Sequence, residues 1–287
     1  HRDLHYPLRR QRQMCIRDSL KTKKLNDDHS LSEETNYVKE FKNATTHFYP
    51  VDPTEMSASI GGTIATNASG AKTFRYGPTR DWIKRIRVIL PNGELLDIER
   101  GQCKAKEGVF QIEMEEKTIE IHVPDYQMPE AKNAAGLYAK PDMDLIDLFI
   151  GSEGLFGVIS EVEVWLTEYK SQIANVGFFD EETLALEFVD LLRNAENIQP
   201  EFIEFFDVGA LDLLRESQKQ DPKFVNMPTI PEKAQAAISF DLAYSEEKLQ
   251  EKYEVIAKLF EECETPLENS WCGYEERELA RFKHFRH

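Results

Sequence analysis

Between Ser57 and Ala71 the chain reads SASIGGTIATNASGA, and apart from Ile60 and Ile64 no side chain in it is bulky. Such a backbone can turn through positive φ at its glycines and let another group come against bare N–H and C=O. Anions and flat rings profit most from that access. Pro53, Thr54 and Ser57 stand just ahead, a proline suited to a first helical turn and two N-capping residue types, so a short helix is expected over 54–67. Its free N–H groups and positive dipole end would seat a phosphate, and Gly61, Gly62 and Ala65 would let a large flat ligand lie against it. No Gly-x-Gly-x-x-Gly follows a strand and no Gly-Lys-Ser/Thr occurs, which excludes a nicotinamide-type Rossmann turn and a P-loop. Composition alone leaves two readings open, a ligand-facing loop and a device for close packing or flexible linking.

The segments downstream are easier to place. WIKRIRVILPNGELLDI alternates Ile86, Val88 and Leu90 with Arg85, Arg87 and Ile89, then turns at Asn92-Gly93, which predicts a two-stranded hairpin. Residues 102–122 read as further short strands, charged and exposed. DLIDLFIGSEGLFGVISEVEVWL predicts a helix or strand, a glycine loop, and a strand alternating Val162, Val164 and Leu166 with Glu161, Glu163 and Trp165. Beyond Tyr169 glycines thin out and periodic segments lengthen, so a boundary is expected near Lys170. SQIANVGFF, EFIEFFD and the alternation of Ile238, Phe240 and Leu242 read as strands. Leu184, Phe188, Leu191 and Leu192 form one helical face behind Asp180, Glu181 and Glu182, and Leu249, Tyr253, Ile256 and Phe260 another behind Ser245. The order βαβ then βα suggests an α+β sheet of the ferredoxin-like kind with its end missing.

The chain has 287 residues, a net charge of -17 and a pI near 4.9, which argues against a nucleic acid or an anionic membrane as the main partner. No apolar run approaches the roughly 18 residues of a membrane span. The four cysteines lack zinc-site spacing and are too few to staple such a chain, which fits a reducing, cytoplasmic location. Residues 1–19 differ from the rest. They carry five Arg against two Asp, so the remainder nets -20 (-17 minus +3). The run LRRQRQMCIRDS resembles translated sequencing-adapter readthrough, and residues 1–19 are set aside as a non-native segment. The last residues, ERELARFKHFRH, have neither Gly nor Pro as a stop, and the chain is expected to be an internal fragment.

Several ordered motifs carry a resemblance. PTEMSASIGGTIATNASGAKTFRYGPTRDWI followed by VILPNGELL, with KNAAGLY and DLFIGSEGLFGVISEVEVWL, resembles the FAD-linked oxidases of the vanillyl-alcohol oxidase type, close to D-lactate dehydrogenase and the glycolate oxidase flavin subunit. The likeness is strong over 48–166 and weaker over 172–287. It implies an α+β chain in which a partial FAD-binding domain of the PCMH type, 20–170, precedes a partial ferredoxin-like cap domain for substrate, 171–287. FAD is the implied cofactor. Pro53, Thr54, Ser57, Gly61, Gly62, Thr66, Asn67 and Gly70 fall on the segment that lines pyrophosphate and flavin, and Tyr76 and Gly77 on the following turn. Glu153, Gly154, Gly157, Val158 and Ile159 fall where backbone holds the adenine end, with Leu155-Phe156 replacing the Thr-Leu common in the family.

The family's earlier glycine-rich pyrophosphate loop has no counterpart over 20–50, and its His- and Glu-bearing catalytic segment has none before the chain stops. The fragment is therefore expected to bind FAD poorly while its parent is a flavoprotein. Arg286 and His287 sit where relatives carry an Arg and a His on the substrate side, and they are the catalytic candidates; a planar guanidinium suits bidentate recognition of a carboxylate. His284 and His287 are three apart, but no third ligand can be named and no metal is assigned. Arg80 and Asp81 read as a structural pair, and Lys132 and Asn133 as positioning residues near Gly136.

The resemblance implies oxidation of a small 2-hydroxy acid such as D-lactate or glycolate by hydride transfer to flavin. Electrons would pass to a separate acceptor, and the location leaves room for peripheral association with the inner membrane. Two alternatives stand beside it: the same fold with sugar, alcohol or alkylglycerone-phosphate-synthase-like chemistry, and a flavin-free or electron-relaying scaffold subunit.

Overall fold

The computed structural model describes residues 47–287 apart from positions 54, 56, 114–117, 132, 135, 225–226, 276, 280–281, 283–284 and 286–287. Residues 1–19, Thr54, Lys132, His284, Arg286 and His287 therefore lie outside the described residues. The chain divides into two compact units between Tyr169 and Lys170.

The first unit opens with a two-residue strand β1 (His47–Phe48) and two short helices, α1 (Ile60–Ala65) and α2 (Thr73–Tyr76). The helix expected over 54–67 is thus only six residues long. Ser59, not Thr54 or Ser57, caps it by accepting from the Gly62 N–H at 3.0 Å. Ser57 bonds Glu55 instead. A helix this short has a small dipole, and Ser59 already takes one of its free N–H groups.

The predicted hairpin is present as β2 (Ile83–Ile89) and β3 (Leu95–Glu99), turning at Gly93 with φ 87°. A second hairpin, β4 (Val109–Glu113) with β5 (Thr118–His122), follows. It is less exposed than its charge suggests, because Phe110 is fully buried in the core of this unit. After α3 (Leu145–Phe149) comes β6 (Val158–Val164), which pairs with β2 to give an antiparallel sheet of order β3-β2-β6. Ile83, Ile86, Val88 and Ile98 on one face of that sheet join Ile64, Ile146 and Ile150 in a single core. The last strand, β7 (Thr167–Glu168), pairs back onto β1.

The other face of the sheet is a ladder of exposed ion pairs, Lys84–Glu163, Arg85–Asp97, Arg87–Asp97 and Arg87–Glu161. Hydrogen bonds from Arg85 and Arg87 hold the Asp97 carboxyl down at about 2. A carboxyl lowered by folding contributes stability above its unfolded value near ~3.9 and loses it as pH falls through the folded one. Asp97→Asn should therefore flatten the decline in Tm between about pH 5 and pH 2, by less than about 1 kcal/mol because the site is exposed. Thermal melts across that range read it directly.

The second unit runs β8 (Ser171–Phe179), α4 (Glu182–Asn194), β9 (Pro200–Phe206), α5 (Val208–Gln220), β10 (Ala236–Tyr244), α6 (Leu249–Glu262) and β11 (Ser270–Gly273). All pairings are antiparallel, in the order β11-β8-β10-β9. With α5 set aside this is the β-α-β-β-α-β ferredoxin-like arrangement. Two elements go beyond the sequence reading, α5 and the fourth strand β11. The sheet carries core on both faces. Phe179, Phe188, Phe240 and Phe260 cluster under α4 and α6, while Val176, Phe178, Leu211, Ile230 and Phe285 form the opposite cluster with α5.

Candidate functional site

The glycine segment and the 150–157 loop meet in the first unit. The C-terminal carbonyls of α1, which have no partner within the helix, accept from that loop: Gly151 N–H donates to the Ile64 carbonyl at 2.9 Å and Glu153 N–H to the Ala65 carbonyl at 2.7 Å. Gly61 faces the Ile159 carbonyl, where a Cβ would sit 3.7 Å away. Gly61, Ile159 and Glu153 are thus brought to one place. Asn67 and Glu153 both hold positive φ, 47° and 54°, which marks a tightly specified loop path.

The glycines divide by what surrounds them. At Gly70 a Cβ would lie 1.6 Å from the Asp52 carbonyl, and at Gly157 2.5 Å from the Ile89 carbonyl. These two are packing devices, with Gly70 letting the chain cross beside Pro53. Gly77, at φ 76°, faces the Asp81 carboxylate instead of main chain. Gly157→Ala, at φ 155°, should cost on the order of 2–3 kcal/mol, seen as a lower urea midpoint with an unchanged slope. Gly154 by contrast is exposed at φ 82°, with nothing nearer to a Cβ position than the Gly157 carbonyl at 4.0 Å, and Gly62 is exposed with only its cap Ser59 at 3.0 Å.

Beside open Gly154 stand apolar side chains that the fold leaves in water. Leu155 is 71% and Val158 67% exposed. Val158 is in register with Ile89, and Ile89 with Leu95, so an exposed apolar row crosses one end of the three strands. Bare main chain beside an apolar shelf fits a ligand with a flat ring. Thr66 is exposed, though its hydroxyl turns back to the Gly62 carbonyl. The Tyr76 ring packs edge-on against Phe48 and Trp82, a structural placement.

Arg80 is the largest departure from expectation. Its ionic partner is Asp147, not Asp81, because successive side chains diverge on the 3-10 turn Thr79–Trp82. The guanidinium is only 8% exposed and lies 4.0 Å over the ring of Tyr138. It donates to the carboxylate of Asp147 at 3.0 Å, to the Asp147 carbonyl at 2.6 Å and to the Ile150 carbonyl. Arg100 shares the same carboxylate at 3.0 Å and also donates to the carbonyls of Ile83 and Arg80. Burial pushes Arg80 below the usual guanidinium value, and Asp147 pushes it back up. Asp81 is raised by desolvation against the pull of Arg100 and Arg80. Neither Asp147 nor Arg100 was picked out from sequence. The available signal was an acid inside the apolar run LIDLF, where a buried carboxylate needs a cation.

The Asn133 side-chain amide donates to the Ala131 carbonyl at 3.0 Å. Among the described cysteines burial raises every thiol, Cys263 and Cys272 to about 11, so none is a ready nucleophile. No group of three metal-ligating side chains occurs among the described residues, and no helix there is long and apolar enough to cross a membrane.

Residues 33–99 match the family of FAD binding domains. The chain is 31% identical over 114 residues to a D-lactate dehydrogenase of Anaerostipes hadrus, covering 40% of this chain and 17% of that protein. It is 30% identical over 215 residues to the glycolate oxidase subunit GlcD of Bacillus subtilis (strain 168), covering 74% of this chain and 37% of the relative. The chain thus spans well under half the length of these curated relatives. Among solved structures, alkyldihydroxyacetonephosphate synthase superposes with a TM-score of 0.52 over 84% of this chain and 38% of that one, at 15% identity, a likeness of fold. Residues 33–99 therefore carry an FAD-binding domain, and the chain is similar to FAD-linked oxidases of the PCMH type over part of their length.

Proposed function

We propose that the protein is an FAD-dependent oxidoreductase that oxidises a small 2-hydroxy acid, D-lactate or glycolate. The observation that carries the cofactor half is the joined surface of the glycine segment and the 150–157 loop, with open Gly154 beside exposed Leu155 and Val158. The relatives named D-lactate dehydrogenase and glycolate oxidase subunit support the substrate half.

In this reading Pro53, Thr54, Ser57, Gly61, Gly62, Thr66, Asn67 and Gly70 form the segment on the pyrophosphate and flavin side, continued by Tyr76 and Gly77. The main chain of Glu153, Gly154, Gly157, Val158 and Ile159 holds the adenine side. When bound, FAD supplies the acceptor for a hydride from the substrate α-carbon. The protein's part is to bind, orient and exclude water. Leu155 and Val158 shield the ring, Arg286 pairs the substrate carboxylate, and His287 takes the hydroxyl proton. The second unit is the substrate cap, and a separate acceptor, soluble or at a membrane surface, reoxidises the flavin.

A visible spectrum of the complete protein, purified and titrated without oxygen, tests this. Flavin bands that bleach with D-lactate or glycolate are the expected result. Bands unmoved by both acids reject the substrate class and keep the cofactor, while a colourless protein that takes up no added FAD rejects both.

A further inference from the structure

A buried arginine is an expensive way to hold a loop, since desolvating its charge offsets much of what its ion pair returns and an apolar side chain could fill the same volume. Its distinctive property is a rigid planar fork that can serve several acceptors at once. At Arg80 every acceptor belongs to a segment beside the candidate cofactor surface. The main-chain N–H donates to the side-chain oxygen of Asn67 at 2.9 Å, fixing the turn that leaves α1. The guanidinium donates to the carbonyls of Asp147 and Ile150, immediately ahead of Gly151. Gly151 in turn is held at φ 84°, where a Cβ would stand 3.2 Å from the Asn67 Cβ and 3.5 Å from the Arg80 guanidinium. One residue thus grips both segments where they meet.

We infer that Arg80 is a positioning residue that couples the glycine segment to the 150–157 loop, with Asp147 and Arg100 holding it in place, so that both sides of the cofactor surface are set before FAD arrives. The inference rests on the FAD reading given above. Its physical content is preorganisation: binding to a surface already fixed spares the entropy of ordering two loops. Lysine cannot substitute, because a single ammonium on a flexible stem does not reach two carbonyls and a carboxylate in one plane.

The test compares Arg80→Lys and Arg80→Met with Ile98→Ala, a core substitution in the same unit that leaves the hydrogen-bonding groups of Arg80, Asp147 and Asn67 in place. FAD affinity is measured in the complete protein by fluorescence titration, with melting temperature and, in the absence of FAD, amide exchange over 151–153. The expected result is FAD binding weakened by about tenfold or more in Arg80→Lys. Exchange at Gly151 and Glu153 should rise, while Ile98→Ala melts earlier yet binds FAD like the wild type. Arg80 variants that bind FAD as the wild type does overturn the inference, as does an equal loss of affinity in Ile98→Ala at matched melting temperature. If Arg80→Met does not fold, Arg80→Lys decides. The FAD reading is judged separately on the wild type: no uptake there overturns the reading and the coupling together, whereas wild-type uptake with indifferent variants overturns the coupling alone.

Discussion

Phe188→Ala should destabilise the second unit by about 3–5 kcal/mol, the range for truncating a fully buried aromatic. The ring is 0% exposed and lies with centroids 4.8 Å from Phe260, 5.2 Å from Phe179 and 5.6 Å from Phe240. Its neighbours come from β8, β10 and α6, so no single element can move in to fill the space without breaking contact with another. The cavity therefore persists, and the lost contacts add to the lost burial. Phe205→Ala on β9, where the ring is 40% exposed, is the control and should cost less than about 1 kcal/mol. Peptide-resolved hydrogen exchange reads the loss in 170–287 separately from the first unit.

Asp147→Ala should cost the first unit about 3–5 kcal/mol as well, for an electrostatic reason. The substitution leaves Arg80 buried with its charge unpaired and removes the one carboxylate that Arg80 and Arg100 share. Asp147→Asn keeps the shape and one acceptor oxygen, so its cost should fall to roughly 2 kcal/mol. The asparagine value separates charge from packing, since a packing role alone would leave this near-isosteric variant close to the wild type. Against a typical reserve of ~5–15 kcal/mol, the alanine variant would leave the unit marginal. Urea unfolding followed by far-ultraviolet circular dichroism gives both values.

What could be read from the residues was what is local. The β2–β3 hairpin follows from alternation and an Asn-Gly turn, and β8, β9 and β10 from their own patterns. Two helix faces of the second unit were legible because Phe188 and Phe260 recur at helical spacing. By contrast α5 buries only Leu211 completely, so its sequence shows little stripe. Its start depends on Asp207, whose carboxylate caps the Ala210 N–H at 2.8 Å. β11 is four residues containing Gly and Cys, too short to show a period. The glycine segment was legible as a place of close approach, but the sequence could not say what approaches. Gly70 answers to Asp52, Gly157 to Ile89 and Gly62 to its cap Ser59, whereas Gly154 stays open. The pairing of Arg80 with Asp147 spans 67 positions, and no local pattern encodes a partner at that distance.

The pairing of β1 with β7 bears on the order in which this molecule is made. His47 and Phe48 lie against Glu168 and Thr167, so this pairing closes a loop of the chain from residue 47 to residue 168. Closing so long a loop carries an entropic cost that only late contacts repay. A ribosome working from the amino end must release the whole stretch through Glu168 before that fastening can form. The glycine segment is synthesised early and waits, with the Ala65 carbonyl accepting from Glu153 N–H only once the 151–153 amides arrive. The candidate cofactor surface is accordingly among the last parts of the unit to exist during synthesis, and the interval before its completion is when the chain most needs protection from its neighbours.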